Sequence, residues 1–496
     1  MAGAVIRSGE WRIKPSGKLP IFLRFMINSS FSHEIANQVG FKNHIVNRVY
    51  LNHMMYWPAK EYDAFETEII NNLKQDNYWL DNYCNRELKN SEELYNLGLK
   101  LQKTDWSKKS NLEMKKTLDS LLNKYKLLSC SWYAQYPIDI YYEDRIEEFL
   151  LKYIKISNSD FRKLVLIFTD PKEMTEVAEE RWKLITIANK FKKNKEDLNN
   201  LSKSADNDLN NHLDRFAYIN RGLATSKPYT RQDIIDRIKE SLHSKEGLNK
   251  LINNSSPEKV KEDYNWALSQ IKPEADFKRT IEQARLHSYT RNRRVEAFFR
   301  ADFGASFMYH EIARRNKFNE DWVMELSVEE MYGALDGKIL PDKTEMQRRF
   351  TNYAMVVEDA KTKLVVDPKE IKKLEEKYSV EIVDSNELQG KMASLGGIIR
   401  GRAKICLDKK DIGKIERGDI LVAQFTTPDF VPAMEKAAAI VADQGGLSSH
   451  AAIVSRELGV PCVIDTKNGT RIIKDNDLLE INAQTGLVKI LERAKE

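Results

Sequence analysis

The stretch that decides the fold is residues 437–464, which read AAAIVADQGGLSSHAAIVSRELGVPCVI. Its start, Ala437–Ala442, is small and apolar and predicts a buried strand. Two glycines follow, Gly445 and Gly446. Because glycine has no Cβ, they predict a turn at which a backbone or a ligand can approach closely.

The second half of the stretch predicts a helix that opens at a histidine. Ser448 and Ser449 are residue types that cap helix N-termini, and His450–Leu458 has helical spacing. Gly459 is the usual helix stop, and the proline after it keeps the helix ended. Residues 461–464 then return to a strand pattern. The stretch therefore reads strand, glycine turn, helix, strand.

A histidine at a helix N-terminus has a chemical use. The first backbone N–H groups of a helix lack intrahelical partners and the helix dipole is positive there, so an anion is stabilised. A neutral imidazole can attack phosphorus, and the hydroxyls of Ser448 and Ser449 could hold the resulting phosphate. The alternative is a capping or packing histidine, which is the usual role of a lone one. The small residues around His450 favour the phosphoryl carrier.

Residues 445–464 closely resemble the phosphohistidine segment of the PEP-utilising enzymes, which include phosphoenolpyruvate synthase, pyruvate phosphate dikinase, enzyme I of the sugar phosphotransferase system and rifampicin phosphotransferase. Three further segments resemble motifs of that family in the same order: residues 394–403, 418–429 and 477–490. The resemblance implies a compact β/β/α swivelling domain over residues 386–496. It also implies that His450 carries the phosphoryl group.

One of these motifs, residues 426–429, has two interpretations that both stay open. Thr427 could cap a helix that Pro428 begins. Alternatively, Thr426 or Thr427 lies beside His450 and donates a hydrogen bond to its phosphate. The expected phosphate-stabilising residues are therefore Gly445, Gly446, Ser448, Ser449, Thr426 and Thr427.

The rest of the chain is poor in glycine. Ten glycines fall in residues 1–385 and eleven in residues 386–496, which predicts helices in the first part and strands with tight turns in the second. The fold class is multidomain, α plus α/β. The predicted divisions are a small α+β lead-in (1–60), a mainly helical domain that could bind acceptor or partner (61–340), a hairpin–helix connector (341–385) and the phosphohistidine domain (386–496).

Several local signals refine this division. Helix starts are predicted at Ser110 and Ser327, each followed by glutamate three residues later, and at Asp170 before Pro171. Residues 353–366 predict a hairpin, followed by a helix from Pro368 to Tyr378. The polar segment 384–390 is predicted to be the linker to the last domain.

Cationic side chains are concentrated in residues 285–315. This part more faintly resembles the helical region that precedes the histidine domain in rifampicin phosphotransferase-like proteins, where it contributes to acceptor binding. The resemblance implies an acceptor or anion site at Arg293, Arg300, His310 and Arg314. The alternative, a solvated basic face with glutamate and aspartate partners, is favoured by the charge pattern.

Composition excludes several classes of function. The net charge is +5 over 496 residues, with no basic block, so no nucleic-acid partner is expected. No apolar run approaches a membrane span, and residues 1–10 lack the apolar core of a signal peptide, so a cytoplasmic protein is expected. The four cysteines include no CxxC pair, which argues against a zinc site or disulfide framework, and no metal site is expected.

The sequence therefore predicts a phosphotransferase component. His450 would take a phosphoryl group from ATP or PEP and pass it to a small-molecule acceptor. No ATP-grasp pattern or PEP-binding barrel is recognisable, so a separate nucleotide- or PEP-binding protein is expected, with Mg²⁺ accompanying the donor. One alternative is a complete enzyme with an unrecognised donor site. Another is a non-catalytic regulatory or binding protein that uses the domain's fold.

Overall fold

The computed structural model describes the 496-residue chain except residues 1–5, 9, 16–19, 29–31, 53, 154–157, 222–226, 244–247, 255, 360, 379–384, 408, 428–429, 448 and 495–496.

Helices dominate the chain up to residue 351. In chain order they are α1 Ile21–Asn28, α2 His33–Gln38, α3 Ala59–Gln75, α4 Trp79–Gln102, α5 Asn111–Cys130, α6 Gln135–Tyr153, α7 Asn158–Thr169, α8 Glu176–Asn194, α9 Lys203–Phe216, α10 Tyr218–Arg221, α11 Arg231–Leu242, α12 Leu248–Asn254, α13 Pro257–Ile271, α14 Ala275–Arg315, α15 Val328–Leu335, α16 Lys343–Thr351, α17 Pro368–Tyr378, α18 Val431–Met434, α19 His450–Leu458 and α20 Gly469–Ile472. Helices α3 to α16 are called the helical region below.

Strands flank the helical region on both sides. They are β1 Ile6–Ser8, β2 Trp11–Pro15, β3 Arg48–Leu51, β4 Met54–Pro58, β5 Ala354–Glu358, β6 Lys361–Val365, β7 Glu387–Gln389, β8 Lys391–Ser394, β9 Ile398–Cys406, β10 Ile420–Ala423, β11 Ala439–Ala442, β12 Cys462–Ile464, β13 Leu478–Asn482 and β14 Leu487–Glu492. The part from β7 to β14 is called the C-terminal domain.

The helical region is organised around α14, which at 41 residues is about 60 Å long. Most of this helix is buried, and it packs against α4 along its length and against α6 and α7. The predicted capping boxes at Ser110 and Ser327 are confirmed at the starts of α5 and α15. The helix start predicted at Asp170 is wrong, because α8 begins at Glu176 with Thr175 as its N-cap.

The first six strands form one antiparallel sheet in the order β1-β2-β4-β3-β5-β6. Strands β5 and β6 are the predicted hairpin, and the predicted helix after it is α17, so both predictions are confirmed. Strand β3 pairs with β5, with Val49 opposite Val356. The segment before α3 and the hairpin after α16 thus share one sheet.

The C-terminal domain is a mixed eight-stranded sheet in the order β7-β14-β13-β9-β10-β11-β12-β8. Neighbouring strands are parallel from β9 through β10 and β11 to β12. The pairs on either side of these four strands are antiparallel. Parallel strands end at the same edge of a sheet, so the loops after β10 and β11 meet there. Within the segment 384–390, which was predicted to be a linker, residues 387–389 form strand β7 of this sheet and pair with β14. Residue 384 lies outside the described residues.

Among the described residues, no helix combines the length and apolarity that crossing a bilayer requires.

Candidate active site

His450 is the first residue of α19, and the helix spans the predicted residues 450–458. Ser449 is its N-cap, with Oγ accepting a hydrogen bond from the backbone N–H of Ala452 at 3.3 Å. Gly445 has φ +136°, and a Cβ there would lie 2.5 Å from Ser449 Oγ. The first glycine is therefore required to bring the cap against the turn, and the cap fixes where the imidazole begins the helix.

Thr426 lies beside the histidine, with 2.8 Å between its Oγ1 and His450 Nδ1. The contact forms because β10 and β11 run parallel, so the loop with Thr426 and the turn before His450 leave the sheet at the same edge. The histidine as a whole is half-buried, whereas its Nε2 is buried and has no hydrogen-bond partner among the described residues. Thr426 thus holds Nδ1, whereas Nε2 has no hydrogen bond from the described residues.

The surroundings keep the ring neutral. Burial, together with the positive charge of Arg291, lowers the pKa of His450 to about 3. The imidazole therefore retains a lone pair at neutral pH, which is the form that can act as a nucleophile.

Arg291 belongs to the helical region, and three other polar side chains lie near it. Its guanidinium donates a hydrogen bond to Asp139 Oδ2 at 2.7 Å, and His287 Nε2 lies 3.1 Å from Asp139 Oδ1. Asp139 and Glu143 are four residues apart on α6, and His287 and Arg291 are four apart on α14. Such spacing puts each pair on one helix face. These four residues, called the α6/α14 cluster below, face the glycine turn and the histidine.

Glu143 makes the direct contact between the cluster and the turn. Its Oε1 accepts from the backbone N–H of Leu447 at 2.6 Å, and its Oε2 lies 3.3 Å from Lys391 Nζ. Gly446 passes so close that a Cβ there would lie 2.5 Å from Glu143 Oε1. The pKa of Glu143 is raised to about 7, chiefly by burial, with the charge of Lys391 opposing the rise and that of Asp139 adding to it. The absence of a Cβ at Gly446 thus allows the turn to approach Glu143 of α6 this closely.

The other end of α19 is also fixed to the helical region. The Nε of Arg456 donates to Asp170 Oδ1 at 3.0 Å, and its other donors reach the carbonyls of Ala393 and Leu447. Arg181 of α8 donates to the carbonyl of Glu457 at 3.0 Å. This arrangement, in which α19 rests on α6, α8 and the Asp170 loop, is called the docked position below. Asp170 therefore binds Arg456 in the docked position and does not cap a helix.

The four predicted anion-binding residues are spread along α14 and do not converge on His450. Arg314 lies 23 residues beyond Arg291, about 35 Å along the helix axis. Arg293 pairs with Glu176 and Glu296, and Arg314 pairs with Glu311. Arg300 is buried over the ring of Tyr218 and donates to the carbonyl of Arg215, while His310 is exposed. Their acceptor role remains a prediction.

The remaining predicted residues have mixed positions. The hydroxyl of Ser449 is used as a helix cap, and Ser448 lies outside the described residues. Pro428, at which a helix capped by Thr427 was predicted to begin, lies outside the described residues, and the next described helix, α18, begins at Val431. The carbonyl of Thr427 accepts from the backbone N–H of Phe430 at 2.8 Å.

Sequence reasoning missed the α6/α14 cluster. The signal was present as two four-residue spacings, an acidic pair on α6 and a His–Arg pair on α14, but their meeting depends on the packing of two helices about 150 residues apart. Across the described ranges, no group of three or more His, Cys, Asp or Glu side chains is placed to hold a metal ion. The four cysteines are buried free thiols.

Comparison with known proteins gives this geometry a context. The family described as "PEP-utilising enzyme, mobile domain" matches residues 415–486. A probable phosphoenolpyruvate synthase of Archaeoglobus fulgidus is 50% identical over 120 residues, 24% of this chain and 16% of that protein. The phosphoenolpyruvate synthase of Pyrococcus furiosus is 46% identical over 117 residues, 23% of this chain and 14% of that protein.

A third relative, the phosphoenolpyruvate synthase of Aquifex aeolicus, is 32% identical over 184 residues, 36% of this chain and 22% of that protein. The matches thus cover less than a quarter of the length of these three relatives. The family match at residues 415–486 includes α19 and the strands β10 to β13 around His450. Residues 415–486 are therefore similar to the mobile domain of the PEP-utilising enzymes.

Proposed function

We propose that this protein is a phosphotransferase component that carries a phosphoryl group on His450, from ATP or PEP to a small-molecule acceptor. The observation that carries the proposal is the state of the imidazole. Its Nδ1 is held by Thr426 at 2.8 Å, its Nε2 has no bond from the described residues, and its low pKa keeps it neutral. The similarity to phosphoenolpyruvate synthases supports the same class of reaction.

The first half-reaction follows from the tautomer. When Nδ1–H donates to Thr426 Oγ1, the lone pair lies on Nε2, which attacks the phosphorus of the donor. The Nε2–P bond forms as the P–O bond to the leaving group breaks, and that oxygen keeps the electron pair. Thr426 then orients the ring and stabilises the positive charge that the imidazole develops.

The second half-reaction would take place at the helical region. An acceptor oxygen attacks the same phosphorus, the N–P bond breaks, and the histidine regains its lone pair. The α6/α14 cluster is what His450 meets in the docked position, with the positive charge of Arg291 next to the ring. We propose that Arg291 stabilises the transferring phosphoryl group and that the Asp139 carboxylate takes the acceptor proton.

The donor is proposed to be presented by a separate nucleotide- or PEP-binding protein, with Mg²⁺ bound to the donor's phosphates. Mg²⁺ would neutralise phosphate charge during the transfer. The residues proposed here as phosphate-stabilising are the turn glycines, Ser448, Ser449, Thr426 and Thr427. Ser449 would contribute through the N-terminal end of α19, since its hydroxyl already caps that helix.

The test is intact mass at neutral or alkaline pH, at which a phosphoramidate survives. Wild type, His450→Ala and the control His310→Ala, whose histidine is exposed on α14, are incubated with Mg·ATP or with PEP, alone and with cell extract. We expect one added phosphoryl mass in wild type and His310→Ala and none in His450→Ala. Phosphorylation only in the presence of extract would support a separate donor-binding protein.

Absence of the added mass under every condition would overturn the carrier role. It would favour the alternative, a regulatory or binding protein that uses only the fold of the domain.

A further inference from the structure

The arginines of α14 differ in whether a carboxylate balances them. Arg293 and Arg294 pair with glutamates, and Arg314 and Arg315 share Glu311. Arg285 is different. Its guanidinium donates to the carbonyls of Ile167 at 2.6 Å and Pro171 at 3.1 Å, and within the described part of the chain no carboxylate lies within ion-pair distance of it.

Arg285 is nevertheless only 5% exposed. Burial lowers its pKa, which means that the surroundings disfavour its charge. The acid that most offsets this effect is Asp170, whose carboxylate is already bound by Arg456. A buried cation is costly unless it is paired, so this position calls for an anion.

A cavity of about 370 Å³ opens beside this guanidinium. Lys172, on the loop before α8, and Lys261, on α13, line it, and both lysines are exposed. Tyr264 and Asn265 complete the wall, with the ring of Tyr264 stacked 4.3 Å from the Arg285 guanidinium. The volume lies within the range of small-molecule sites.

The charge in this cavity is positive. Three cationic side chains line it against one carboxylate, Glu282, which is exposed and lies 4.0 Å from Lys278 outside the cavity wall. The stacked Tyr264 ring holds the guanidinium plane in place, and the amide of Asn265 adds a neutral hydrogen-bond donor. A preorganised arginine flanked by two lysines is suited to a doubly charged anion.

We propose that the cavity between α13, α14 and the Asp170 loop is a binding site for a small organic anion that carries a phosphate or a dicarboxylate group. Arg285 supplies the buried positive charge, and Lys172 and Lys261 contact the anion from the rim. None of the residues that line it is His450 or belongs to the α6/α14 cluster, and the inference does not depend on the phosphoryl transfer proposed above.

Isothermal titration of the full chain with inorganic phosphate and with succinate tests this site, with KCl at matched ionic strength as the reference. Two variants carry the same change of charge. Lys172→Ala/Lys261→Ala removes the rim, and Lys369→Ala/Lys372→Ala removes two exposed lysines of α17. Both pairs are surface positions, so folding is retained.

We expect one saturable site in wild type and in the α17 variant, and at least a tenfold weaker affinity in the rim variant. Saturation by phosphate alone would assign the ligand to phosphate esters, and saturation by succinate alone would assign it to dicarboxylates. No saturable binding beyond KCl, or equal affinity in the rim variant, would overturn the site. His450 phosphorylation should be unchanged in the rim variant, which separates this test from that of the carrier role.

Discussion

The pH dependence of the docked position follows from two buried groups with opposite pKa shifts. Burial raises the pKa of Glu143 from 4.5 to about 7, and burial together with Arg291 lowers that of His450 from 6.5 to about 3. Both groups lie at the contact between the C-terminal domain and the helical region, so undocking would return them toward their ordinary values. Docking and protonation are therefore linked.

The two groups act with opposite signs. Between pH 4.5 and about 7 the docked Glu143 holds a proton that the undocked one releases, so its contribution to docking weakens as pH rises. Between pH 6.5 and about 3 the undocked His450 takes a proton that the docked one refuses, so its contribution weakens as pH falls. Each contribution changes by up to about 1.4 kcal/mol per pH unit. Where the windows overlap, the two cancel.

Wild type should therefore dock almost independently of pH between about pH 5 and 6.5. In Glu143→Gln only the histidine titrates, and docking should weaken as pH falls across that range, by up to about 2 kcal/mol or about 30-fold. In His450→Asn only the glutamate titrates, and docking should weaken by a similar amount as pH rises. The double variant Glu143→Gln/His450→Asn gives the pH dependence of docking that all other groups cause, and this is subtracted from the pH dependence of each single variant.

Fluorescence energy transfer between two dyes, one on a cysteine introduced in each domain, measures the docked fraction. The four native cysteines are buried, so labelling can be confined to the introduced sites. Single variants with slopes of the same sign, or both as flat as wild type, would refute the assignment of these two groups to the docking contact.

Three further predictions concern single side chains. Above about pH 7, where Glu143 is ionised, Gly446→Ala should weaken docking by about 1.5–3 kcal/mol, the value of a charge-assisted hydrogen bond, because the new Cβ would lie 2.5 Å from Glu143 Oε1 and displace it. Amide exchange across α6 should then rise, whereas Gly397→Ala, whose Cβ meets nothing within 4 Å, should leave exchange unchanged. Thr426→Val should slow single-turnover phosphorylation of His450 at least about tenfold and Thr426→Ser should restore it, because the Nδ1 bond is lost and regained; equal rates would exclude this role. Ser327→Ala should lower the unfolding free energy by about 1 kcal/mol in urea titration, since the α15 capping box is lost, and an unchanged midpoint would contradict this.

The features that could be predicted from sequence are those whose determinants are local. Helix α19 has its predicted bounds because Ser449 caps it and Gly459, with φ +67°, ends it. The hairpin of β5 and β6 and the capping boxes of α5 and α15 were predictable for the same reason. In each case the residues that decide the structure lie within a few positions of one another.

The features that could not be predicted depend on distant partners. Asp170 followed by proline has the pattern of a helix start, but its carboxylate binds Arg456, 286 residues away. The cationic run on α14 gave no indication of which member would face the histidine, and Arg291 does so only because α14 packs on α6. A sequence indicates which residues share one face of a helix, but not which element that face packs against in the fold.

The docked position also constrains when His450 can be charged. If His450 carries the phosphoryl group as proposed, an external donor would not reach an Nε2 atom without accessible surface, and the C-terminal domain would have to leave the helical region first. One apolar cluster includes residues of both, such as Ile138 on α6 and Ala451 on α19, and this contact favours the docked state. When only the open form reacts, the charging rate is proportional to its population. In Glu143→Gln, low pH opens the domain only by protonating His450, and an imidazolium cannot attack phosphorus, so that variant should not be charged faster as pH falls. Gly446→Ala loosens docking without protonating the histidine, so it should be phosphorylated faster than wild type at the same pH, by the factor by which its open fraction rises. A charging rate that does not change with the open fraction would mean that the donor reaches His450 in the docked position. The helical region would then be the donor side of the transfer.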